Sequence, residues 1–325
     1  SKRSAATGRT MRRLVEKILS MATIGLLLAI ALGHGGGVFW FFDVFANFQM
    51  QYLMAGGAIL LLAAPLRQWR TAMLAIAALG LSALTIYQVP VQEQAGVAAP
   101  VPAVKIASFN VLFNNPVPEV AVKFADAERP DIIVFQEFTR SFLPSLEKLS
   151  ERYPYQAVFA LKNGGTDVVL ISSLPLLDPR MEAEAEGRIR IVTAGVEIDG
   201  RRVRIVGLHP PVPLLPRLAA VRDRHFEIVA ELAKSSPDPL IVIGDFNATL
   251  WTAPLRSLFA QTELRAHARW PELTYASVFP WPTRIPIDHL LVSPGLRIAE
   301  LRKSERLGSD HFPIVARVEL GTRLR

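Results

Sequence analysis

The sequence predicts an α/β protein whose soluble part is a sandwich of two sheets with helices outside, preceded by three transmembrane helices. Short apolar runs rich in β-branched residues recur between turn residues from about residue 104, and several follow one another directly. Three longer apolar stretches lie within residues 1–90. Because strands outnumber helices, two packed sheets fit better than a strictly alternating parallel sheet.

The apolar stretches cover residues 18–32, 52–66 and 73–89. A helix needs about 20 mainly apolar residues to cross a bilayer, and each stretch reaches that length with its less polar flanks. A cleaved signal peptide would explain only the first stretch and its basic start, and the following two would still anchor the chain. We therefore expect three membrane spans.

Basic residues set the expected orientation, because short cytoplasmic flanks collect Lys and Arg. The segments 33–51 and 88–104 contain neither residue type. We expect a cytoplasmic amino terminus in an inner (cytoplasmic) membrane, with everything after the third span outside the cytoplasm. The basic residues that indicate this precede the first span (Lys2, Arg3, Arg9, Arg12, Arg13, Lys17) or separate the second from the third (Arg67, Arg70).

The same residues account for the sequence pI of about 9.9. Residues 1–90 hold eight basic and two acidic residues, which leaves 28 basic and 27 acidic residues for the remainder. The basicity is therefore no argument for a nucleic-acid partner. The absence of cysteine excludes disulfides and thiol chemistry.

The composition divides the chain into three parts. Residues 1–90 form the predicted membrane domain, 91–103 an Ala/Val/Pro-rich tether, and 104–325 the predicted soluble domain. Within the last part, helical patterns are expected at 117–128, 141–151 and 216–233.

Four apolar runs end in polar residues. "IASFN" ends on Asn110, "IIVFQE" on Glu137, "IVGLH" on His209, and "IVIGDFN" on Asp245 and Asn247. Carboxylates and imidazoles are costly to bury without partners, so several such strand ends brought together would form an acidic pocket that needs a cation.

Two further segments complete the set. "PIDHLLVS" carries Asp288 within a strand, and "GSDHFP" carries Asp310 and His311 before the final strand. An aspartate near a histidine is the arrangement needed to hold an imidazole in one tautomer and to stabilise its cation.

Taken together, the motifs "SFN", "FQE", "GLH", "GDFN", "IDHLLV" and "GSDHFP" resemble, in order, the endonuclease/exonuclease/phosphatase superfamily with the DNase I-like fold. The resemblance runs from about Lys105 to Val318. It implies a four-layer α/β sandwich that hydrolyses phosphate esters with Mg²⁺ or Mn²⁺, with Glu137 as principal metal ligand and Asn110 and Asp310 at the same metal site.

The resemblance also implies the catalytic roles. His311, oriented by Asp288, would face the scissile phosphate, while His209 and Asn247 would contact its non-bridging oxygens and Asp245 would position and deprotonate the attacking water. A phosphodiester repels hydroxide, so a cation and an ionised aspartate are the groups such a reaction needs. Oxygen ligands favour magnesium or manganese over zinc.

Simpler interpretations exist for several of these residues. Asp245 and Asn247 could be turn formers after a strand, and His209, which precedes two prolines, could be a loop residue. His289 should point away from Asp288 by strand alternation and is interpreted as structural. Asp167, which opens a strand, is interpreted as a turn residue.

Two other segments are less specific. The acidic run 182–186 resembles a solvated loop. Residues 269–286, with four prolines and four aromatic residues, could line the substrate entrance, contact a lipid surface, or form a packed loop.

The sequence therefore favours a phosphodiesterase that acts outside the cytoplasm on a lipid or lipid-linked phosphate ester. The predicted tether, the near-neutral soluble domain and the aromatic loop favour lipid, since DNA binding usually needs a basic surface. A membrane-anchored nuclease and a non-catalytic membrane scaffold on the same fold are the alternatives, and no obligate protein partner is indicated.

Overall fold

The computed structural model describes residues 2–92, 101–160, 166–182, 189–276 and 280–321, without the side chains of residues 2–9. The chain divides into two compact units. The first contains the residues up to Val89 together with Trp251–Ala253, and the second contains Pro90–Leu250 and Pro254–Arg325.

The first unit is helical. Its helices are α1 (Lys2–His34), the short α2 (Asp43–Ala46), α3 (Gln49–Ala63) and α4 (Trp69–Tyr87). Small buried residues such as Ala75 and Ala78 of α4 pack in one cluster with Ile30 of α1 and Ile59 of α3.

Two helical spans, Thr10–Gly37 and Trp69–Tyr87, are long and apolar enough to cross a membrane. A third candidate arises if Trp40–Ala46 and Gln49–Ala63, which meet at a bend of 58°, count as one span. The second predicted stretch, 52–66, thus corresponds mainly to α3. Because α3 has only 15 residues, it counts as a candidate span only together with Trp40–Ala46.

The second unit contains two mixed six-stranded sheets. In the first sheet the strand order is β11-β12-β1-β2-β4-β3, and in the second it is β5-β6-β7-β8-β10-β9. Numbered along the chain, the strands are β1 (Ala103–Asn110), β2 (Ile132–Gln136), β3 (Tyr155–Val158), β4 (Val169–Ser172), β5 (Leu177–Glu182), β6 (Ile191–Ile198), β7 (Arg201–Leu208), β8 (Leu240–Asp245), β9 (Arg265–Ala266), β10 (Asp288–Val292), β11 (Leu296–Lys303) and β12 (Ile314–Leu320).

The two sheets pack face to face. Ile106 and Val134 of the first sheet share one buried cluster with Ile205 and Ile243 of the second. At Gly207 the sheets approach so closely that a Cβ atom would lie 2.6 Å from the side chain of Val134. This packing confirms the predicted pair of sheets in an α/β fold.

Helices cover the outer faces. Phe124 of α5 (Val120–Glu128) and Leu146 of α6 (Leu143–Leu149) pack with Phe109 and Phe135 of the first sheet. Elsewhere, α7 (Pro216–Ser235) and α8 (Ala253–Gln261) bury one face each. The three predicted helices correspond to α5, α6 and α7.

The sequence did not predict β3, β5, β9, β11 or α8. These elements are short or lie at sheet edges, and β5 is mostly polar and half exposed. None of them therefore shows a clear apolar period in the sequence.

The beginning of the predicted tether is bonded to the second unit. Residues 90–92 bond to β9 and β11: Gln92 donates its backbone N–H to Ala266 O and its side chain accepts from Ile298 N. The rest of the predicted tether, 93–100, and most of the acidic run, 183–186, lie outside the described residues.

Glu128, at the end of α5, connects three elements. Its carboxylate accepts two hydrogen bonds from Arg302 of β11, at 3.0 and 2.6 Å, and one from Ser304. It also lies 3.5 Å from the ammonium group of Lys105 on β1. The hydrogen bonds from Arg302 lower the pKa of Glu128 to about 2, although partial burial opposes this.

Glu128→Gln is expected to lower the free energy of unfolding at neutral pH by about 1 kcal/mol, because it removes the charge that pairs with Arg302. The loss is small because the Arg302 side chain is 44% exposed and water screens the pair. A carboxylate with a depressed folded-state pKa stabilises the fold above its unfolded pKa of about 4.3, and that contribution disappears as the pH falls toward 2. In thermal unfolding of the full chain, the difference in Tm between wild type and variant should therefore close over this window. Glu305→Gln, an exposed control on the following loop, should show no such pH-dependent difference.

Candidate active site

The polar strand ends meet at one end of the two sheets. Parallel pairing of β1 with β2 places Asn110 opposite Gln136, so that Glu137 follows directly. Antiparallel pairing of β8 with β10 places Asp245 opposite Asp288. Each sheet thus brings two of the predicted residues to the same edge.

Gly244, just before Asp245, allows the close pairing of β7 with β8. A Cβ atom at this position would lie 2.1 Å from the carbonyl oxygen of Leu208. Any side chain would therefore separate the strand that leads to His209 from the strand that carries Asp245. This explains the glycine in "GDFN".

The amide of Asn110 joins the two sheets. Its Nδ2 donates to Oε1 of Glu137 and to Oδ2 of Asp245, at 3.0 Å in both cases. Its Oδ1 accepts from the backbone N–H of Leu112 at 3.0 Å. An aspartate here would place a third carboxylate against the other two, whereas the amide of Asn110 supplies an N–H to each acceptor.

Two imidazoles flank Asp245. Nε2 of His209 lies 3.7 Å, and Nε2 of His311 lies 3.6 Å, from the same Oδ2. The Nδ1 of each ring donates to a second carboxylate, in His209 to Asp167 at 3.0 Å and in His311 to Asp288 at 2.8 Å. Each ring is therefore held in one orientation with its Nε2 toward Asp245.

The surrounding carboxylates keep both imidazoles protonated. Burial alone would lower the pKa of His311, but Asp288 and Asp245 raise it to about 10. Burial likewise opposes protonation of His209, whose pKa Asp167 and Asp245 raise to about 9. Two cationic N–H donors therefore face the space beside Asp245 at neutral pH.

The environment of Asp245 tunes its basicity. Burial raises its pKa to about 6; the two imidazolium groups lower it and the neighbouring charge of Asp288 raises it further. Asp245 is therefore ionised at pH 7 but more basic than an exposed aspartate, which suits a general base.

Asn247 stabilises the turn after β8. Its backbone N–H donates to Oδ1 of Asp245 at 2.8 Å, and its Nδ2 donates to the carbonyl of Pro210 at 2.9 Å. Both Asn247 and Glu137 have positive φ angles, of 46° and 55°, which are unfavourable for a residue with a side chain. Asn247 thus fixes the loop after His209 as well as its own turn.

The predicted metal residues lie beside this group. Glu137 accepts at Oε1 from Asn110 and at Oε2 from the backbone N–H of Phe113 at 2.8 Å. Oδ1 of Asp310 is buried and has no partner among the described residues. Burial raises the pKa of Asp310, as does the nearby charge of Glu137. An unpartnered oxygen close to a second carboxylate fits a hard divalent cation.

A second arrangement could also hold a metal ion. Asp245, Asp288 and His311 each offer one ligand atom, and the three atoms lie within 4.8 Å of one another. A cation there would have to displace the 2.8 Å bond between His311 and Asp288 and would meet a protonated imidazole. Glu137 and Asp310 therefore fit a cation better.

Asp167 was wrongly interpreted as a turn residue. It is buried, orients His209, accepts from the backbone N–H of Glu137 at 3.0 Å, and pairs with Arg190 at 2.8 Å. Burial would raise the pKa of Asp167, but His209 and Arg190 hold it below its usual value. The sequence offered one signal for this role: a buried His209 would need a carboxylate partner, as His311 does in Asp288.

Tyr275 is a further residue that the sequence analysis missed. Its ring lies over His311, with 5.0 Å between ring centroids. The neighbours of Tyr275 bond to the neighbours of His311: Ala276 donates its backbone N–H to Asp310 O, and Phe312 donates its backbone N–H to Thr274 O. Residues 277–279 of the aromatic loop lie outside the described residues.

Positive charge gathers next to His311. Arg284, Lys303 and Arg306 lie 5.2, 5.4 and 5.9 Å from the ring centroid of Phe312. Lys303 pairs with Glu272 at 3.1 Å. The local charge contrasts with the near-neutral composition of the whole soluble part.

His289 lies away from the site, as predicted. Its Nε2 donates to Ala248 O at 3.0 Å, and its ring meets the edge of Phe246 at 5.3 Å. Burial lowers the pKa of His289 to about 4. A neutral, packed imidazole is structural.

The family model described as "Endonuclease/Exonuclease/phosphatase family" matches residues 107–311. The chain belongs to this family. The match includes every predicted site residue, from Asn110 to His311, and members of this family are phosphoester hydrolases. Comparison with curated protein sequences gives no match.

Solved structures of the endonuclease/exonuclease/phosphatase fold resemble this chain. One is the endonuclease/exonuclease/phosphatase of Beutenbergia cavernae DSM 12333 (TM-score 0.58, 18% identity, 68% of this chain and 72% of that chain covered). Others are D. rerio TDP2 complexed with single-strand DNA product (0.56, 15%, 67% and 99%) and the human Nocturnin catalytic domain with bound sulfate (0.52, 17%, 69% and 96%). At these identities the likeness is one of fold.

Asp167→Asn is expected to lower the pKa of His209 from about 9 toward its ordinary value near 6.5. In the wild type His209 is a cation below about pH 9, whereas in the variant it should be a cation only below about pH 6.5. The two proteins should therefore differ in the charge of His209 between these two pH values. If His209 acts as a cation, hydrolysis of bis-p-nitrophenyl phosphate should fall about tenfold or more at pH 8 and much less at pH 6.

The matched control is Asp178→Asn, which removes an exposed partner of Arg202. Its pH profile should follow that of the wild type. Parallel profiles for Asp167→Asn and wild type would contradict the coupling of Asp167 to His209.

Proposed function

We propose that this protein is a membrane-anchored phosphodiesterase that depends on Mg²⁺ or Mn²⁺ and acts outside the cytoplasm on a lipid or lipid-linked phosphate ester. The observation that carries the proposal is the environment of Asp245: one buried, ionised carboxylate between two imidazolium groups, each backed by its own carboxylate. Turn formation alone would not require these partners.

The geometry suits attack of water on a phosphodiester. Asp245 accepts the proton of the attacking water, since its pKa of about 6 makes it a base that is ionised at neutral pH. The Nε2–H groups of His209 and His311 donate to the non-bridging oxygens, which gain charge in the transition state. Asn247 offers them its second amide N–H, which has no partner among the described residues.

Glu137, Asp310 and Asn110 would hold the metal ion. When bound, Mg²⁺ or Mn²⁺ supplies positive charge next to the phosphate. For Asn110 this means ligation through Oδ1, which among the described residues accepts only the N–H of Leu112. The Nδ2 atom would continue to orient Glu137 and Asp245. Tyr275 packs on His311 and limits its rotation, and thereby positions the Nε2–H group that donates to the phosphate.

The helices of the first unit support anchoring. Two of them, or three if the bent pair counts as one span, are long and apolar enough to cross a membrane. Basic residues precede the first span and lie at the turn into α4. By the distribution of these charges, the amino terminus is cytoplasmic and the domain after α4 is outside.

Exposed apolar side chains on the loops that carry site residues favour a lipid substrate. Phe113, 59% exposed, bonds through its backbone to Glu137. Leu214, 72% exposed, follows His209 by five residues. Trp281, 72% exposed, lies in the loop between Tyr275 and Asp288. Exposed apolar groups on loops that carry site residues offer a contact surface, and aromatic residues suit the bilayer interface.

A membrane-anchored nuclease is the second candidate. The cations around Phe312, beside His311, favour it, because phosphates flanking the scissile one would meet positive charge there. The same cations would equally suit an anionic lipid head group. A non-catalytic scaffold would not need the paired carboxylate–imidazole geometry.

Asp245→Asn and His311→Ala are expected to reduce turnover by at least about a hundredfold, since each removes a group of the proton-transfer and phosphate-binding machinery. The measurement is hydrolysis by the full chain in detergent, with Mg²⁺ or Mn²⁺ and then with EDTA, of bis-p-nitrophenyl phosphate, phospholipid vesicles that include sphingomyelin, and single- and double-stranded DNA. Chelation should abolish turnover.

Asp126→Asn, an exposed exchange of the same kind, serves as the control and should retain wild-type activity. Metal-dependent turnover of DNA alone would replace the lipid assignment with the nuclease. Absence of turnover on every substrate would favour the scaffold.

Replacing Phe113, Leu214 and Trp281 together by Ser should lower vesicle hydrolysis by about tenfold or more, because each exposed apolar side chain that inserts contributes to binding. Hydrolysis of bis-p-nitrophenyl phosphate should change less than about twofold, because none of the three side chains contacts the reacting groups. The matched control, Leu143→Ser with Tyr155→Ser, removes exposed apolar groups from α6 and β3. Equal losses on both substrates, or the same vesicle defect in the control, would contradict a lipid-contact surface.

A further inference from the structure

The first unit contains a pocket of about 760 Å³ that the catalytic chemistry does not use. Two segments line it: one face of α1, and the turn into α4 with the first residues of that helix. We call it the basic pocket, because four cations line it: Arg13 and Lys17 from α1, and Arg67 and Arg70 from the second segment.

The cationic side chains of the basic pocket have no anionic partner among the residues that the structure describes. None of the four side chains makes a hydrogen bond or an ion pair with such a residue, although the backbone N–H of Arg67 donates to Ala64 O. Glu16 is the only carboxylate in the lining, and it pairs with Arg12 at 2.9 Å. Like charges brought together repel one another, so an anion from outside the protein would stabilise the arrangement.

The walls of the basic pocket are amphipathic. Met21 and Trp69 also line it and are 72% and 62% exposed, so apolar surface adjoins the cations. At the junction of the two segments, the hydroxyls of Ser20 and Thr71 lie 3.0 Å apart and fix α1 against α4. A ligand that satisfies both surfaces carries an anionic head and an apolar body.

We propose that the basic pocket binds the phosphate head group of an anionic phospholipid, with the acyl chains along Met21 and Trp69. The inference rests on the membrane anchoring proposed above and is independent of the catalytic site. On the expected orientation, the lipid belongs to the cytoplasmic leaflet. Basic pockets between membrane helices on that side recognise acidic head groups.

The test is native mass spectrometry of the full chain in detergent with equimolar phosphatidylglycerol and phosphatidylcholine that have the same acyl chains. Wild type should retain phosphatidylglycerol in preference to phosphatidylcholine by about tenfold, and Arg67→Gln with Arg70→Gln should lose most of that preference. Lys2→Gln with Arg3→Gln removes the same charge from α1, about 15 Å along the helix from Arg13. This control should keep the preference.

Each other outcome overturns the inference. Equal retention of the two lipids by wild type would show that the pocket has no head-group selectivity, and equal losses in both double variants would show a diffuse charge effect. Displacement of the lipid by glycerol 1-phosphate in millimolar excess would assign the pocket to a soluble phosphate compound. Failure to retain either lipid would refute a lipid site in the basic pocket, and intact hydrolysis in the same preparation would leave the catalytic proposal standing.

Discussion

The buried oxygen Oδ2 of Asp245 is the atom on which the site depends. It accepts from the amide of Asn110 and faces the Nε2 atoms of His209 and His311. A carboxylate removed from water stays ionised near neutral pH only if donors and positive charge surround it. Because these partners come from both sheets and from two loops, the ionised state of Asp245 requires the sheets to be packed in this register.

A second layer of residues holds the partners in place. Asp288 orients His311, and Asp167 orients His209. Behind Asp167, Arg190 pairs with its carboxylate and donates its backbone N–H to Nε2 of His225, on α7. Burial lowers the pKa of His225 to about 4, so that this ring is neutral and can accept. The geometry of the site thus extends through hydrogen bonds into a covering helix.

The two units differ in net charge. Most of the net charge of the chain belongs to the first unit, where four cationic side chains that make no ion pair with a described residue line one pocket. The second unit is close to neutral in composition, and its exposed apolar residues include Phe113, Leu214 and Trp281 on the site loops. Both features, which lie in separate parts of the chain, support the proposed membrane anchoring.

The sequence alone determined the paired sheets, because β-branched runs bounded by turn residues reflect local chain preferences. It also determined the residues at the strand ends, since polar groups after buried runs are visible without a fold. Only the tertiary structure decided that Asp167 pairs with His209, 42 residues away, and that Tyr275 packs on His311. It likewise decided that Arg67 and Arg70 share a pocket with Arg13 and Lys17. These contacts join residues that are distant along the chain, and no local pattern of charge or hydropathy specifies which of them meet.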